Sequence, residues 1–278
     1  MELARPESTE AAVAALGNGA VALAGGTEVV PLLRERILRA DTLVDLRRAV
    51  PRGVRGSEPQ TQIGAGTTLG ELEVDPEIPD ALREACRLSA SPQLRAAGTI
   101  GGNLLQATRC WYWRLRFPCR LHGGDRCHAR EGHHREHAIF ANEFCASAHP
   151  SDPAAALLAL GATVRTDRRE LPIADLYRLP DDANRELTTL AADELILELE
   201  VPRPDASTYL KAMDRARWSF ALVGVAAARF GDDVRFGLAG VAPIPWLRLD
   251  GATPLPGNAY KTRILDALVK RARQAIAA

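Results

Sequence analysis

Cys110, Cys119, Cys127 and Cys145 lie in one stretch that also holds all six histidines of the chain: His122, His128, His133, His134, His137 and His149. Thiolates and imidazoles are ligands for soft and borderline metals, so this crowding points to a metal site. Four thiolates suit either Zn²⁺ or an iron–sulfur cluster. The gaps of eight, seven and seventeen residues match neither the C-x₂-C pairs of zinc ribbons nor the C-x₂-C-x₂-C run of ferredoxins. Spacing therefore leaves both metals open, beside a set of scattered buried thiols. Cys86 stands apart in a helical pattern, four residues after Leu82, and reads as a core thiol.

Glycine turns supply a second kind of chemistry. A short apolar run at 20–24 leads into Gly25-Gly26-Thr27-Glu28, after which 29–37 resumes a helical pattern. Strand, glycine turn and helix together form an anion-binding arrangement, because glycine lets backbone N–H groups approach a phosphate closely. A second glycine-bearing turn follows at Ala97-Gly98-Thr99-Ile100-Gly101-Gly102-Asn103-Leu104. Neither is a G-x-G-x-x-G or a P-loop, so a Rossmann or Walker reading is not supported.

These turns need elements to hold them. Residues 8–17 read as a helix capped by Ser8 or Thr9 and ended by Gly17-Asn18-Gly19. Strands are expected at 42–46 and 61–67, a helical turn at 69–72, and a longer helix at 78–88 that buries Leu82, Ala85 and Leu88. Residues 106–149 show little periodicity, and a loop of that length is uncommon in a compact domain unless function or a cofactor organises it. An apolar helix at 154–160 has Asp152 near its cap, and strands or connections are expected at 164, 171–176 and 195–201. Pro202-Arg203-Pro204 reads as a boundary. Beyond it, strands at 209–213, 220–230 and 234–241, the last two a hairpin across Gly231-Asp232-Asp233, precede an amphipathic helix at 258–276. A further strand is expected at Leu249, and the whole makes a small α+β C-terminal domain.

At 278 residues the chain is long enough for two or three domains with their own cores. Its formal net charge of +0 argues against nucleic-acid binding. Arginine dominates the 35 basic residues, with lysine only at 211, 261 and 270, and the arginines are spread along the whole chain. The first residues show no secretory signal, and no apolar run approaches the roughly twenty residues that span a bilayer. A cytoplasmic location is the expectation, although export of a folded complex on a partner's signal would leave no trace here.

Ala24-Gly25-Gly26-Thr27 and Thr99-Ile100-Gly101-Gly102-Asn103-Leu104 resemble the two FAD loops of the flavin-binding subunits of molybdenum hydroxylases, the family of xanthine and carbon monoxide dehydrogenases. Lys211, Arg215 and Trp218-Ser219-Phe220-Ala221 are similar to the segment opening that family's C-terminal domain, and Gly240-Val241-Ala242-Pro243 to a strand end within it. The likeness covers nearly the whole chain. It implies an α+β fold: a PCMH-type, vanillyl-alcohol-oxidase-like FAD-binding domain of two α/β subdomains at 1–203 and a C-terminal flavoprotein domain at 204–278. Arg109-Cys110-Trp111-Tyr112, Pro118-Cys119, Cys127-His128-Ala129, His137-Ala138-Ile139 and Cys145 through Asp152 resemble the insert of one branch, represented by the flavin subunits of periplasmic aldehyde dehydrogenase and 4-hydroxybenzoyl-CoA reductase. In that branch four cysteines hold a [4Fe–4S] cluster.

The resemblance thus implies FAD held by Ala24, Gly25, Gly26, Thr27, Glu28, Val29, Thr99, Gly101, Gly102, Asn103 and Thr108. Its pyrophosphate would lie on amides of 25–28 and 101–103, with Asp152 and Lys211 at the ribityl or ring end. It implies cluster ligation by Cys110, Cys119, Cys127 and Cys145, with the histidines lining the loop or bonding to sulfur. No residue reads as a substrate-activating acid, base or nucleophile. The implied role is an electron-transfer oxidoreductase subunit, partnered by a molybdopterin-binding large subunit and a [2Fe–2S] small subunit and delivering electrons to an external acceptor. The rival readings are a stand-alone flavin/Fe–S oxidoreductase and a zinc-stabilised binding module without redox function. Two departures from the family pattern stand out: Glu28 replaces the usual Asp or Asn, and the C-terminal domain is short.

Overall fold

The computed structural model describes residues 1–17 and 19–277. Three sheets organise the chain. Strands β1 (Glu2–Ala4), β2 (Ala20–Leu23) and β3 (Thr42–Asp45) form a parallel sheet in the order β1-β3-β2. The helix Thr9–Ala15 covers it through Ala12 and Leu16, and Ser8 caps that helix as expected, its hydroxyl accepting from the Ala11 N–H. The helix stops two residues before the expected end, and Asn18 lies outside the described residues.

The second sheet is antiparallel, ordered β4-β5-β8-β6-β7, from β4 (Val54–Ser57), β5 (Gln60–Gly64), β6 (Thr163–Thr166), β7 (Glu170–Pro172) and β8 (Ile196–Pro202). The third holds β9 (Ala206–Ala212), β10 (Val223–Phe230) and β11 (Asp233–Ala239), with β10 central. The expected hairpin forms around Gly231, which sits at φ +59° where glycine carries no Cβ penalty.

Two helices, Asp80–Leu88 and Asp152–Leu160, join the second and third sheets through one core. Every residue of Asp152–Leu160 is buried, because its Ala/Leu sequence is apolar on all sides and packs on all sides. A Cβ at Gly237 of β11 would lie 2.0 Å from the Ala155 carbonyl oxygen, so helix backbone and strand backbone touch there. Cys86 is fully buried in this core, and burial pushes its thiol pKa far up, in keeping with an inert core thiol.

Several expectations need correction. In the stretch 171–176, expected as strand or connection, β7 ends at Pro172, which cannot continue the ladder, and a 3-10 turn, Ile173–Leu176, follows. The second glycine turn is a short helix, Ile100–Leu104, capped by Thr99. Leu249 is not in a strand; only Trp246 bridges to Leu238. The helix Pro92–Ala97 and the strands β1 and β4 are additional. Within 106–149 three short turns appear, Trp111–Arg114, Arg120–His122 and His128–Glu131. No helix among the described residues is long and apolar enough to cross a membrane.

Candidate functional site

A cavity of about 880 Å³ opens between the end of β2, the helix Ile100–Leu104, the 186–196 segment and the connection from the end of β9 towards β10. Its wall includes Ala24, Gly25, Gly26, Thr27, Glu28 and Val29 from the first loop, and Thr99, Gly101, Gly102 and Asn103 from the second. Asp152 and Lys211 line it as well. Thr108 does not: it is buried nearby, its hydroxyl accepting from the Cys110 N–H at 3.2 Å.

The two loops meet backbone to backbone. A Cβ on Gly25 would stand 1.8 Å from the Ala97 carbonyl oxygen, so only glycine allows this approach. Gly26 follows at φ +72°. The amides of Gly25, Gly26, Thr27 and Glu28 donate to no protein acceptor among the described residues, and all four residues line the cavity. The second loop differs. Gly101 N–H donates to the Ala65 carbonyl, Gly102 N–H to the Thr99 hydroxyl and Asn103 N–H to the Thr99 carbonyl. Its amides therefore have acceptors inside the fold. What it contributes is a wall without side chains at Gly101 and Gly102 and the polar side chain of Asn103, whose Oδ1 accepts from Ser151 at 2.6 Å.

Asp152 and Lys211 are not separate contacts but a buried ion pair, 2.7 Å apart with side chains 3% and 1% exposed. Lys211 Nζ also donates to the Leu88 carbonyl at 2.9 Å. Asp152 accepts further from Tyr209 Oη at 2.5 Å and Ser89 Oγ at 3.3 Å. Burying two charges is tolerable here because each has its partner and extra hydrogen bonds. Ser89 and Tyr209 escaped the sequence reading, since nothing in their local pattern marks them.

Glu28 has its own role. Its Oε1 accepts from Arg114 at 2.5 Å and its Oε2 from Arg109 at 2.6 Å, tying the first loop to the cysteine segment. Arg109 in turn lies over the Phe220 ring, 4.9 Å from its centre.

Behind Arg109 the four cysteines Cys110, Cys119, Cys127 and Cys145 line one small cavity together with Tyr112, Trp113, Ala129, Phe144 and Ser147. All four are free thiols. Cys145 Sγ donates to the Ser147 hydroxyl at 3.3 Å and Cys127 Sγ accepts from the Ala146 N–H at 3.4 Å; interaction between the two thiols pulls Cys127 below the ordinary thiol range and pushes Cys145 above it. Burial raises Cys110 to about 11. No three His, Cys, Asp or Glu among the described residues converge closely enough to hold a single metal ion. The histidines mostly brace the segment. His122 stacks on Trp113 and bonds its carbonyl, and His134 spans the Ala129 carbonyl and the Gly257 N–H. His149 packs edge-on against Tyr177, and among the described residues His137 is the histidine that bonds a thiol, with Nε2 3.2 Å from Cys110 Sγ.

Comparison with known proteins gives this geometry its family. Residues 1–204 match the family described as the FAD binding domain in molybdopterin dehydrogenase. The aldehyde oxidoreductase FAD-binding subunit PaoB of Escherichia coli (strain K12) is 34% identical over 255 residues, covering 84% of this chain and 78% of that protein. The carbon monoxide dehydrogenase medium chain of Hydrogenophaga pseudoflava is 37% identical over 107 residues, 36% of this chain and 37% of that one. In three dimensions, carbon monoxide dehydrogenase from Hydrogenophaga pseudoflava lacking the Mo-pyranopterin moiety superposes with a TM-score of 0.73 at 24% identity, covering 99% of this chain and 96% of that one. This likeness shows that the two share the α+β fold. The chain belongs to the FAD-binding domain family of the molybdopterin dehydrogenases, a family of oxidoreductase components.

Proposed function

We propose that this chain is the electron-transfer subunit of a molybdopterin-dependent dehydrogenase, carrying FAD in the large cavity and a [4Fe–4S] cluster between the four thiols. The observation that carries the reading is the adjacency of the two cavities: Arg109 lines the first and Cys110, the next residue, lines the second. FAD supplies two-electron acceptance with one-electron release, and a cluster supplies one-electron transfer.

The residues present fit both groups. Free amides at Gly26, Thr27 and Glu28 receive the negative charge of a pyrophosphate, and Gly25, Gly101 and Gly102 leave it room. Lys211 keeps a positive charge on the cavity wall, held in place by Asp152, where it stabilises negative charge on a bound flavin. Four thiols lining one cavity supply the ligand type and number that a [4Fe–4S] cluster takes. The FAD-binding portion is assigned to 1–203 and the flavoprotein domain to 204–278. Partners are a molybdopterin-binding subunit and a [2Fe–2S] subunit, and the name of the Escherichia coli relative favours an aldehyde as the substrate oxidised by the complex.

The test is an absorbance spectrum with iron, sulfide and zinc analysis on anaerobically purified protein. Flavin bands with a dithionite-bleachable shoulder and about four irons per chain support the reading. A colourless protein with one zinc overturns it. Reduction of the flavin directly by a small substrate, in a protein free of co-purifying subunits, would replace it with a stand-alone oxidoreductase.

A further inference from the structure

We propose that His137 is a positioning residue for the cluster, donating its Nε2–H to the Cys110 sulfur and thereby setting the reduction potential. The inference rests on the iron–sulfur reading above. His137 is 3% exposed, and its Nε2 stands 3.2 Å from Cys110 Sγ. Its position is fixed from three sides. The ring meets Trp111 edge-on at 4.6 Å between centres. Its carbonyl accepts from Lys261 Nζ at 2.9 Å and Asn258 Nδ2 at 3.1 Å, while its own N–H donates to the His134 carbonyl.

A metal-bound thiolate carries lone pairs and no proton, so a hydrogen bond between these atoms can run only from nitrogen to sulfur. That requires the tautomer with hydrogen on Nε2 and a lone pair on Nδ1. The buried Nδ1 has no hydrogen-bond partner, so nothing on its side competes for the proton. An N–H···S bond favours the more negative, reduced form of a cluster and raises its potential. Three of the other histidines are directed elsewhere, His122 to the Trp113 carbonyl, His134 to Ala129 and Gly257, and His149 to the Ser151 N–H; His133 is exposed, and His128 lines the thiol cavity with no thiol among its hydrogen-bond partners.

The experiment is an EPR-monitored redox titration, with iron analysis, of the wild-type holoprotein and of His137→Phe and His137→Gln. The Phe variant keeps the ring volume and removes the donor; the Gln variant restores an N–H at a similar reach. We expect iron to be retained and the Phe variant to be about tenfold harder to reduce, a shift of about 59 mV to lower potential for one electron. The Gln variant should recover at least half of that shift. A Phe variant that keeps its iron and titrates at the wild-type potential overturns the inference and leaves the cluster reading intact. Wild-type protein without iron overturns both. If the Phe variant loses its cluster, ¹⁵N-histidine labelling of the wild type decides: hyperfine coupling of ¹⁵N to the reduced cluster supports the bond, and its absence refutes it.

Discussion

The flavin cavity and the thiol cavity share a boundary at residues 109 and 110 yet are built in opposite ways. Around the flavin cavity the walls are strand ends, capped helices and glycines pressed against carbonyls, and the buried charges Asp152 and Lys211 satisfy each other. Around the thiols the longest regular piece has four residues. There the backbone is held by long polar side chains: Arg130 on the Asn142 carbonyl, Asn142 on the Thr253 carbonyl, Lys261 on the Glu136 carbonyl, and Arg185 on the Gly124 carbonyl. The first region folds from its own hydrogen bonds. The second is clamped from outside.

The largest expected effect tests that contrast directly. Cys119→Ser should lose its iron and become more open to proteolysis within 106–149, while the flavin stays bound; iron analysis beside a flavin spectrum reads both. Simultaneous loss of flavin would show that the two regions form one unit. Next in size is Asp152→Ala, which strands Lys211 in the core and removes the acceptor of Tyr209. A loss of about 3–5 kcal/mol in urea unfolding is expected, with the double variant Asp152→Asn/Lys211→Met recovering much of it.

A smaller effect comes from pH. Burial holds His149 neutral, with its pKa lowered from 6.5 to about 3. Between those values the unfolded chain binds a proton that the folded chain refuses, so stability falls as pH drops below about 6.5. The loss should amount to a few kcal/mol by pH 4, at about 1.4 kcal/mol per unit. Unfolding midpoints at pH 7 and 4.5 measure it, and His149→Phe should flatten the dependence. An unchanged slope would mean that acid acts elsewhere, on the clamps of the thiol segment.

The same contrast explains what could be read before any coordinates. Elements with clean periodicity were legible: the Ser8-capped helix, the Asp80–Leu88 helix and the hairpin around Gly231. The strand β4 was not, because Val-Arg-Gly-Ser has little β-branched character and is ordered by pairing with β5. Ile100–Leu104 read as a turn because glycines at 101 and 102 hide a helix whose signal is the cap at Thr99. At the site, residue types were legible and their pairings were not. Lys211 and Asp152 lie 59 positions apart, and Glu28 lies 81 from Arg109, distances over which only the folded chain brings partners together.

Glu28 is where the comparison can be sharpened most finely, since it is the one side chain that belongs to the flavin loop and holds the cysteine segment through both Arg109 and Arg114. Glu28→Gln keeps the size and one acceptor oxygen but removes the charge. The two guanidiniums then face each other with less compensation. Arg109 is a third exposed, and Arg114 keeps its bond to the Thr108 carbonyl, so solvent and that bond absorb part of the loss. The expected cost is about 1 kcal/mol in global stability, the upper range for a partly exposed pair. Hydrogen exchange should nevertheless rise selectively at 107–116, because that stretch loses its tie while the strands and glycines of the flavin loop keep theirs. Faster exchange there with an unchanged flavin affinity would confirm a one-way dependence, the thiol segment leaning on a cavity that stands without it. Weaker flavin binding in the same variant would show instead that the Cys segment supports the flavin loop in return.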